Sequence, residues 1–473
     1  MTARHIVSIG GSDAGISAAL RARELDPTTD VTVVVADAYP NFSICGIPYY
    51  LSGEVAHWSD LAHRSSADLA ATGMRVLTDT RATGINAEAH TLDILDSNGV
   101  PQQLSFDALI VGTGAVSVRP PIRGITGPDA LGPADGVHLL HSMSDTFAVM
   151  DSLQRREPAT AAIVGAGYIG LEMAEALTSR GIRVTQIEAL PEVLPTVDPE
   201  LGALVHAELE RHGVEVLTDT AVTAITRNDT GALSVTASQD GQKLSCTVDF
   251  VLVVVGVRPD TELAADAGVN LGVRGAIVVD EAMRTNVPDI FAAGDCVHTH
   301  HRLLGTTWLP LGTTAHKQGR VAGENALGGH AHFAGSLGTQ VVKVFDLVAA
   351  RTGLSEHEAF AADRGWTPVT SQSSPDDHKA YYPGATPIHI RITGDQDSGR
   401  LLGAQLIGHR SAEIAKRVDT YATSLFHNMT VSALSELDLS YTPPLGSPWD
   451  ATQMAAQAWV REHQPATARP RIA

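Results

Sequence analysis

The chain has 473 residues, 44% of them hydrophobic, and a formal net charge of −20 at pH 7. This length allows about three domains with well-filled cores. The negative charge disfavours contact with phosphate backbones, so no nucleic-acid partner is expected. No apolar run approaches the ~18 residues of a membrane span, and Met1 leads directly into strand-like sequence without signal-peptide features. We therefore expect a cytoplasmic protein that has no membrane partner.

The first predicted unit is a strand, a glycine turn and an alanine-rich helix over residues 6–20, followed by a strand at residues 31–35. This pattern is typical of the start of a nucleotide-binding βαβ unit. The turn consists of Gly10, Gly11, Ser12, Asp13, Ala14 and Gly15. Ser12 stands at the middle glycine of G-x-G-x-x-G, and Val35 stands where an acidic residue is common. Asp37 either reaches a ribose or is an ordinary turn aspartate.

A second unit of the same design covers residues 161–177, with a following strand at residues 183–188. Its turn fits G-x-G-x-x-G without deviation: Gly165, Ala166, Gly167, Tyr168, Ile169 and Gly170. Glu188 ends the next strand, where a carboxylate can accept hydrogen bonds from ribose hydroxyls. No arginine follows it to meet a 2′-phosphate, so NADH is favoured over NADPH.

Other segments return to these sheets or lie beyond them. Residues 106–115 and 251–256 each read as a buried strand that ends in glycine, with Thr113, Gly114 and Ala115 closing the first and Gly256 the second. Residues 289–295 place Gly294 and Asp295 at a strand end, where the aspartate can hydrogen-bond the sugar-like chain of a flavin. Beyond residue 335, alternating strands and a helical stretch at residues 412–426 predict a third domain without a nucleotide.

Three cysteines, Cys45, Cys246 and Cys296, are too few and too scattered for a disulfide framework or a four-ligand zinc site. The close histidines His298, His300 and His301 lack the carboxylates or cysteines that would complete a metal site, so none is predicted. Any cysteine chemistry must therefore depend on one thiol.

The order of the glycine turns and strand-end glycine segments along the chain, continued by the segment at residues 310–315, resembles that of the flavoprotein disulfide reductases with two dinucleotide-binding domains. The resemblance implies an α/β fold with two doubly wound domains and a C-terminal α+β dimerisation domain, and hence a homodimer. It implies FAD bound by residues 1–120 and 261–335, NAD(P)H bound by residues 121–260, and dimerisation through residues 336–460. The tail at 461–473, with Pro465, Pro470 and few apolar side chains, is expected to be frayed. Thr313 and Ala315 join the residues named above as expected cofactor contacts.

Cys45 follows the second strand of the FAD domain, at the edge of the sheet where ligands bind. The segment resembles the single-cysteine branch of the family, which contains coenzyme A disulfide reductases, persulfide reductases and NADH oxidases or peroxidases. That resemblance implies a helix N-terminus that lowers the pKa of the Cys45 thiol. It also implies that Tyr382 and Tyr441 reach the cysteine of the other subunit, where a phenol can protonate a leaving thiolate.

The expected function is NAD(P)H-dependent reduction of a small disulfide or persulfide through Cys45. One alternative is an NADH oxidase or peroxidase cycling through a sulfenic acid, although Asp13 stands where those enzymes carry a histidine. Another alternative is an electron-transfer flavoprotein reductase in which the cysteine is incidental, and a third is a nicotinamide sensor with negligible turnover. Asn41 and Ile44 depart from the coenzyme A pattern, and Arg21 and Arg23 either meet a phosphate or are solvated. The substrate stays open.

Overall fold

The structure, a computed structural model, describes residues 4–229 and 231–464. In these residues the strands are β1 (His5–Ile9), β2 (Asp30–Val34), β3 (Arg75–Leu77), β4 (Arg81–Asn86), β5 (Thr91–Leu95), β6 (Pro101–Ser105), β7 (Ala108–Val111), β8 (Ala115–Ser117), β9 (Val137–His138), β10 (Thr160–Val164), β11 (Arg183–Ile187), β12 (Glu215–Leu217), β13 (Thr220–Arg227), β14 (Leu233–Gln239), β15 (Gln242–Val248), β16 (Phe250–Val253), β17 (Val257–Pro259), β18 (Ile290–Ala292), β19 (Thr299–His301), β20 (Gly305–Thr307), β21 (Gln340–Val344), β22 (Leu347–Gly353), β23 (Pro368–Ser373), β24 (Ile388–Asp395) and β25 (Leu401–His409).

The α-helices of the same residues are α1 (Asp13–Leu25), α2 (Ile47–Ser52), α3 (Ser66–Ala71), α4 (Met143–Arg156), α5 (Tyr168–Ser179), α6 (Pro199–Arg211), α7 (Glu262–Asp266), α8 (Gly312–Ala326), α9 (Glu356–Ala361), α10 (Ile414–Phe426), α11 (Val431–Ser435) and α12 (Ala451–His463). None of these described helices is both long and apolar enough to cross a membrane.

The first sheet is parallel and has the strand order β18-β7-β1-β2-β3. Its central strands are runs of buried valine, isoleucine, leucine and alanine, as expected for a parallel sheet covered by helices. Helices α1 and α8 pack so closely that two positions of α8 leave no room for a side chain. A Cβ at Gly319 would lie 2.3 Å from the Ala14 carbonyl oxygen, and one at Gly323 would lie 2.2 Å from that of Ala18. Since β18 follows the second nucleotide-type unit in the chain, this sheet combines two separated segments.

The second sheet repeats the first, with the parallel order β12-β11-β10-β16-β9. Each parallel sheet has its own three-stranded antiparallel sheet, β4–β6 for the first and β13–β15 for the second, inserted before the strand that returns to the sheet. The sequence analysis did not predict these two inserts. Their strands alternate weakly and expose most side chains on one face, so the pattern gives little signal.

The C-terminal sheet is antiparallel, with the order β21-β22-β25-β24-β23. Helices α10 and α12 pack on it around the fully buried Tyr421 and Trp459. The predicted α/β class, with two doubly wound parallel sheets and a third domain of strands and helices, is confirmed. Helix α12 continues to His463, so the predicted frayed tail begins inside a helix; its residues 465–473 lie outside the described residues.

Candidate active site and dinucleotide turns

The first glycine turn connects β1 to α1. Gly10 has a φ of +110°, which a glycine adopts without strain. A Cβ on Gly15 would lie 2.1 Å from the Gly10 carbonyl oxygen, so this helix position must also lack a side chain. Ser12 is the N-cap of α1, yet its side chain makes no capping hydrogen bond. The turn therefore presents helix-end N–H groups that an anionic pyrophosphate can meet.

The second turn, between β10 and α5, has the same backbone. Gly165 has a φ of +104°, and a Cβ on Gly170 would lie 2.1 Å from the Gly165 carbonyl oxygen. Gly167 is the N-cap of α5, and Tyr168 and Ile169 follow it in the first turn of the helix. The structure brings together all the residues that the sequence placed in this motif.

Glu188 directly follows β11 and is buried beside the second turn. Its Oε2 accepts a hydrogen bond from the Ala166 backbone N–H at 2.7 Å, and its Oε1 accepts one from the Leu190 N–H at 2.9 Å. The carboxylate is therefore fixed at the carboxyl end of the sheet, where a dinucleotide ribose binds in this fold.

The segments between the two sheets also converge. Thr113 Oγ1 donates to the Asp260 carbonyl oxygen at 2.5 Å, Gly114 has a φ of +74°, and Ala115 pairs with Pro259 in the two-stranded β8–β17 sheet. Gly256, with a φ of +106°, accepts a hydrogen bond from the Val118 N–H through its carbonyl oxygen at 3.0 Å. These residues form the two crossings between the nucleotide-type domains.

Gly294 and Asp295 follow β18 and lie against the start of α8. The Gly294 N–H donates to Gln318 Oε1 at 3.0 Å, and a Cβ on Gly294 would lie 2.7 Å from the Ala14 Cβ. Burial, and then the charge of Asp13, raises the pKa of Asp295 to about 6. Thr313 and Ala315 lie in the first turn of α8, beside this strand end.

These residues fit two dinucleotides. An added Cβ would fill either glycine turn, and each turn leads into the N-terminus of a helix. The buried carboxylate of Glu188 lies beside the second turn. The buried Gln318 Nε2 has no hydrogen-bond partner among the described residues, although Oε1 of the same side chain is used. Asp37 behaves as a turn aspartate, since its Oδ1 accepts a hydrogen bond from the Tyr39 N–H at 2.9 Å; its contact with a ribose stays a prediction.

Cys45 lies in a single 3-10 turn, Ile44–Gly46, that leads into α2. The residue is exposed, but the protein around the sulfur excludes enough solvent to raise the pKa of the Cys45 thiol. The carboxylates of Glu172, Asp13 and Asp295 raise this pKa further. The predicted lowering of the thiol pKa by a helix N-terminus is therefore wrong for this chain, because desolvation and three nearby carboxylates outweigh it.

Glu172 is a site residue that the sequence analysis missed. It lies on α5 and accepts a hydrogen bond from the Tyr49 hydroxyl, on α2, at 3.2 Å. Burial raises the pKa of Glu172 to about 7; the Tyr49 hydrogen bond lowers this pKa and the charge of Glu175 raises it. The available signal was an acidic residue two positions after Gly170, in an otherwise apolar start of a helix.

The predicted tyrosines lie on the surface of the C-terminal domain. Tyr382 is 43% exposed, with its ring 5.7 Å from that of His378, and Tyr441 is 46% exposed and hydrogen-bonded to Tyr381. Within the described part of this chain, no hydrogen bond or ring contact joins either tyrosine to Cys45. Their predicted role requires a second subunit.

The two arginines considered for a phosphate have other partners. Arg21 is paired with Glu24 and Glu324, at 2.9 and 2.6 Å. Arg23 donates to the carbonyl oxygens of Thr72 and Thr29, at 2.8 and 2.7 Å. Both guanidinium groups therefore have structural roles, which disfavours the phosphate alternative.

Comparison with known proteins follows the same division of the chain. Residues 4–319 match the sequence profile of the pyridine nucleotide-disulphide oxidoreductases, and residues 339–451 match the dimerisation domain of that family. An NADH oxidase of Methanocaldococcus jannaschii is 31% identical over 95% of this chain and 97% of its own length. A CoA-dependent NAD(P)H sulfur oxidoreductase of Pyrococcus abyssi is 32% identical over 96% of this chain and 98% of its own. The solved structure of an NAD-dependent persulfide reductase from A. fulgidus superposes with a TM-score of 0.90, at 37% identity, over 97% of this chain and 83% of that one.

Proposed function

We propose that Cys45 is the redox-active thiol of this chain, which belongs to the pyridine nucleotide-disulphide oxidoreductase family and is an oxidoreductase that uses a flavin and NAD(P)H. One observation carries the proposal. The three carboxylates that act on the sulfur come from three different motifs: Asp13 from the first turn, Glu172 from the helix of the second turn, and Asp295 from the segment after β18. An exposed thiol where these motifs converge can meet both a cofactor and a substrate.

The reaction that fits this geometry is the reduction of a small disulfide or persulfide. The Cys45 thiolate attacks one sulfur of the substrate, so that a new S–S bond forms, the original S–S bond breaks, and the leaving thiolate takes a proton. A bound flavin supplies the transfer of two electrons from NAD(P)H. Those electrons cleave the mixed disulfide, restore the Cys45 thiolate and release the second thiol, which takes the other proton. NAD(P)H, one proton and one disulfide thereby give NAD(P)+ and two thiols.

The other predicted residues have binding roles in this proposal. The flavin contacts are Gly10, Gly11, Ser12, Asp13, Ala14, Gly15, Asp37, Thr113, Gly114, Ala115, Gly294, Asp295, Thr313 and Ala315. The nicotinamide contacts are Gly165, Gly167, Tyr168, Ile169, Gly170, Glu188 and Gly256. NADH is preferred because the fixed carboxylate of Glu188 attracts ribose hydroxyls and repels a 2′-phosphate. The dimerisation domain supports a homodimer, in which Tyr382 and Tyr441 of each subunit serve the other subunit's Cys45.

The substrate class is a low-molecular-weight disulfide or persulfide. One relative is named a CoA-dependent NAD(P)H sulfur oxidoreductase, and another is named a coenzyme A disulfide reductase. Here, however, Arg21 and Arg23 are held by neighbouring groups, and no guanidinium is left on α1 for a phosphate. We therefore favour a substrate with less negative charge than coenzyme A disulfide. Reduction of this kind suits the cytoplasm, where thiols are kept reduced.

The test uses the flavin-loaded enzyme and a screen of coenzyme A disulfide, glutathione disulfide, polysulfide, peroxide and oxygen with both nicotinamides. Cys45→Ser should abolish disulfide and persulfide turnover while NADH still bleaches the flavin. Cys246→Ser, which changes a partly exposed thiol in β15, is the matched control and should keep full turnover. Undiminished turnover in Cys45→Ser would remove this cysteine from the mechanism.

A second candidate is an NADH oxidase or peroxidase, favoured by the similarity to the M. jannaschii NADH oxidase. Cys45 would then alternate between thiolate and sulfenic acid as peroxide is reduced to water. The same screen separates the two candidates, because only this one predicts that oxygen or peroxide is the fastest acceptor.

A further inference from the structure

The N-terminal ends of α1 and α8 meet beside the first glycine turn and hold a hydrogen-bonded group of three side chains. His316 Nε2 lies 3.2 Å from Asp13 Oδ1, and His316 Nδ1 lies 2.8 Å from Ser17 Oγ. Both nitrogens of the imidazole therefore have a partner, and the orientation of the ring is fixed. The proposed function gives no role to His316 or Ser17.

The packing of the two helices determines this arrangement. A Cβ on Gly312 would lie 2.9 Å from Asp13 Oδ2, so the start of α8 lies directly against the carboxylate. Two turns further along α8, Gly319 packs directly on the Ala14 carbonyl oxygen. Asp13 and His316 are thus held together by backbone contacts and not by flexible side chains alone.

The charge of Asp13 acts on Cys45 and on His316 with opposite consequences. It raises the pKa of the Cys45 thiol, because a carboxylate opposes a second negative charge. It raises the pKa of His316, first through the hydrogen bond between them, because it favours the imidazolium. A protonated His316 in turn neutralises the carboxylate that opposes the thiolate.

Other charged groups face the same atoms. Glu172 on α5 and Asp295 after β18 also raise the pKa of Cys45. Arg64, in the segment before α3, lowers the pKa of His316, and the neighbouring His63 ring lies 6.3 Å from that of His316. The surroundings of Cys45 are therefore mainly acidic, and His316 is the titratable cation bonded directly to one of the acids.

We propose that His316 is a positioning residue that neutralises Asp13 and thereby controls how readily Cys45 loses its proton. This inference rests on the proposed function only in taking the Cys45 thiolate as the reacting form. While His316 is protonated, the Asp13 carboxylate opposes the thiolate only weakly. Once His316 is deprotonated at higher pH, the carboxylate is uncompensated and resists further ionisation of the thiol. The ionisation of Cys45 is then spread over a wider pH range than that of a single isolated group.

The test measures the rate at which iodoacetamide alkylates Cys45 as a function of pH, resolved from the other cysteines by peptide mass spectrometry. The flavin-loaded dimer is first reduced with dithiothreitol and desalted. Asp13→Asn should move the midpoint of the profile to lower pH and speed alkylation at pH 7 roughly two- to fivefold, as expected for removing a nearby unit charge that water screens. His316→Gln should move the midpoint to higher pH and give a steeper, single-ionisation profile.

The double variant should follow Asp13→Asn, because His316 acts through that carboxylate. Glu324→Gln is the matched control: it breaks another ion pair between α1 and α8, with Arg21, and should leave the profile unchanged. Ser17→Ala keeps both charges and should shift the profile less than His316→Gln. Profiles of Asp13→Asn and His316→Gln that coincide with the wild type, or a downward shift in His316→Gln, would overturn the inference. Alkylation does not require turnover, so failure of the proposed Cys45 mechanism alone gives a different result: the variant profiles shift as expected, but turnover survives Cys45→Ser.

Discussion

The two glycine turns have one backbone and two sets of side chains. Gly10 and Gly165 have φ angles of +110° and +104°, and Gly15 and Gly170 each leave 2.1 Å between a hypothetical Cβ and the preceding carbonyl oxygen. The same helix-end geometry, required for a pyrophosphate, therefore recurs in both domains. In our proposal the shared backbone serves a ligand group common to both sites, and the side chains around it account for what differs between them.

The largest difference lies at the residue that follows the second strand of each sheet. Val35 N–H donates to the Leu77 carbonyl oxygen as Glu188 N–H donates to that of Leu217, so the two positions are equivalent. Val35 lies so close to the first turn that a Cβ on Gly11 would be 2.5 Å from its Cγ1. Glu188 instead hydrogen-bonds the turn. The first site thus has an apolar contact where the second has a carboxylate.

The strongest test of the comparison is to add a methyl group to each turn. Gly15→Ala and Gly170→Ala should each weaken binding at their own site, since the new Cβ would overlap a backbone oxygen. Flavin absorbance should be lost in the first variant. In the second, flavin should remain while NADH affinity falls about 10- to 100-fold, for overpacking strain of roughly 1–3 kcal/mol.

Gly132→Ala provides the control, because its φ of −145° is ordinary and no atom lies within 4 Å of the added Cβ. It should keep both ligands. Loss of flavin from Gly170→Ala, or retention of flavin by Gly15→Ala, would show that the turns are not assigned to separate ligands.

The second effect in size concerns Glu188. Glu188→Gln replaces an acceptor that serves two N–H groups and, in our proposal, the ribose hydroxyls. We expect the KM for NADH to rise about tenfold, the loss of one charge-assisted hydrogen bond, and the preference over NADPH to fall. Steady-state kinetics with both nicotinamides measures it. An unchanged ratio of the two kcat/KM values would leave Glu188 with only its structural bonds.

The turns and the parallel strands could be predicted because each depends on local chemistry. Glycine is needed at Gly165 and Gly170 whatever lies elsewhere in the chain, and buried strands such as residues 251–253 are continuous apolar runs. The order of the motifs then allowed the family and fold to be recognised before any contact was known.

The remainder depends on contacts between distant parts of the chain. His316 is 303 residues from Asp13, and Tyr49 is 123 residues from Glu172. No periodicity connects such pairs, so neither could be inferred from spacing. The environment of Cys45 was mispredicted for the same reason: the helix beginning after it was visible in the sequence, whereas the carboxylates of Asp13, Glu172 and Asp295 converge only through the fold.

Two positions after the last glycine, the first turn is followed by Ser17 and the second by Glu172. Burial raises the pKa of Glu172 from 4.5 to about 7, so the folded protein favours the protonated carboxyl. The stability gained because the fold favours the protonated Glu172 carboxyl is fully present below pH 4.5 and is lost as the pH rises past 7. Glu172→Gln keeps an acceptor for Tyr49 and should raise the Tm by roughly 2–4 °C at pH 8, with little change at pH 4.5.

Calorimetry at the two pH values tests this prediction, and exposed Glu88→Gln is the control that should be indifferent at both. Tyr49→Phe, which removes a hydrogen bond that lowers the pKa of Glu172, should move the pH dependence upward. A pH-independent gain in Glu172→Gln would mean that packing, and not ionisation, is responsible.

The smallest expected effect concerns the first site. There Val35 occupies the position of Glu188, and Asp37 is the acidic residue two positions later. In Asp37→Asn the side-chain oxygen still accepts the Tyr39 N–H, so the turn survives. Only the charge of the side chain changes, so flavin retention should fall by about threefold or less, against about tenfold for NADH at Glu188. Flavin release on dilution, compared with that of Asp37→Ala, separates the two roles. If the asparagine variant releases flavin as fast as the alanine variant, the Asp37 carboxylate binds the ribose directly. The first site then uses an acid from the loop in place of the acid that its strand end lacks.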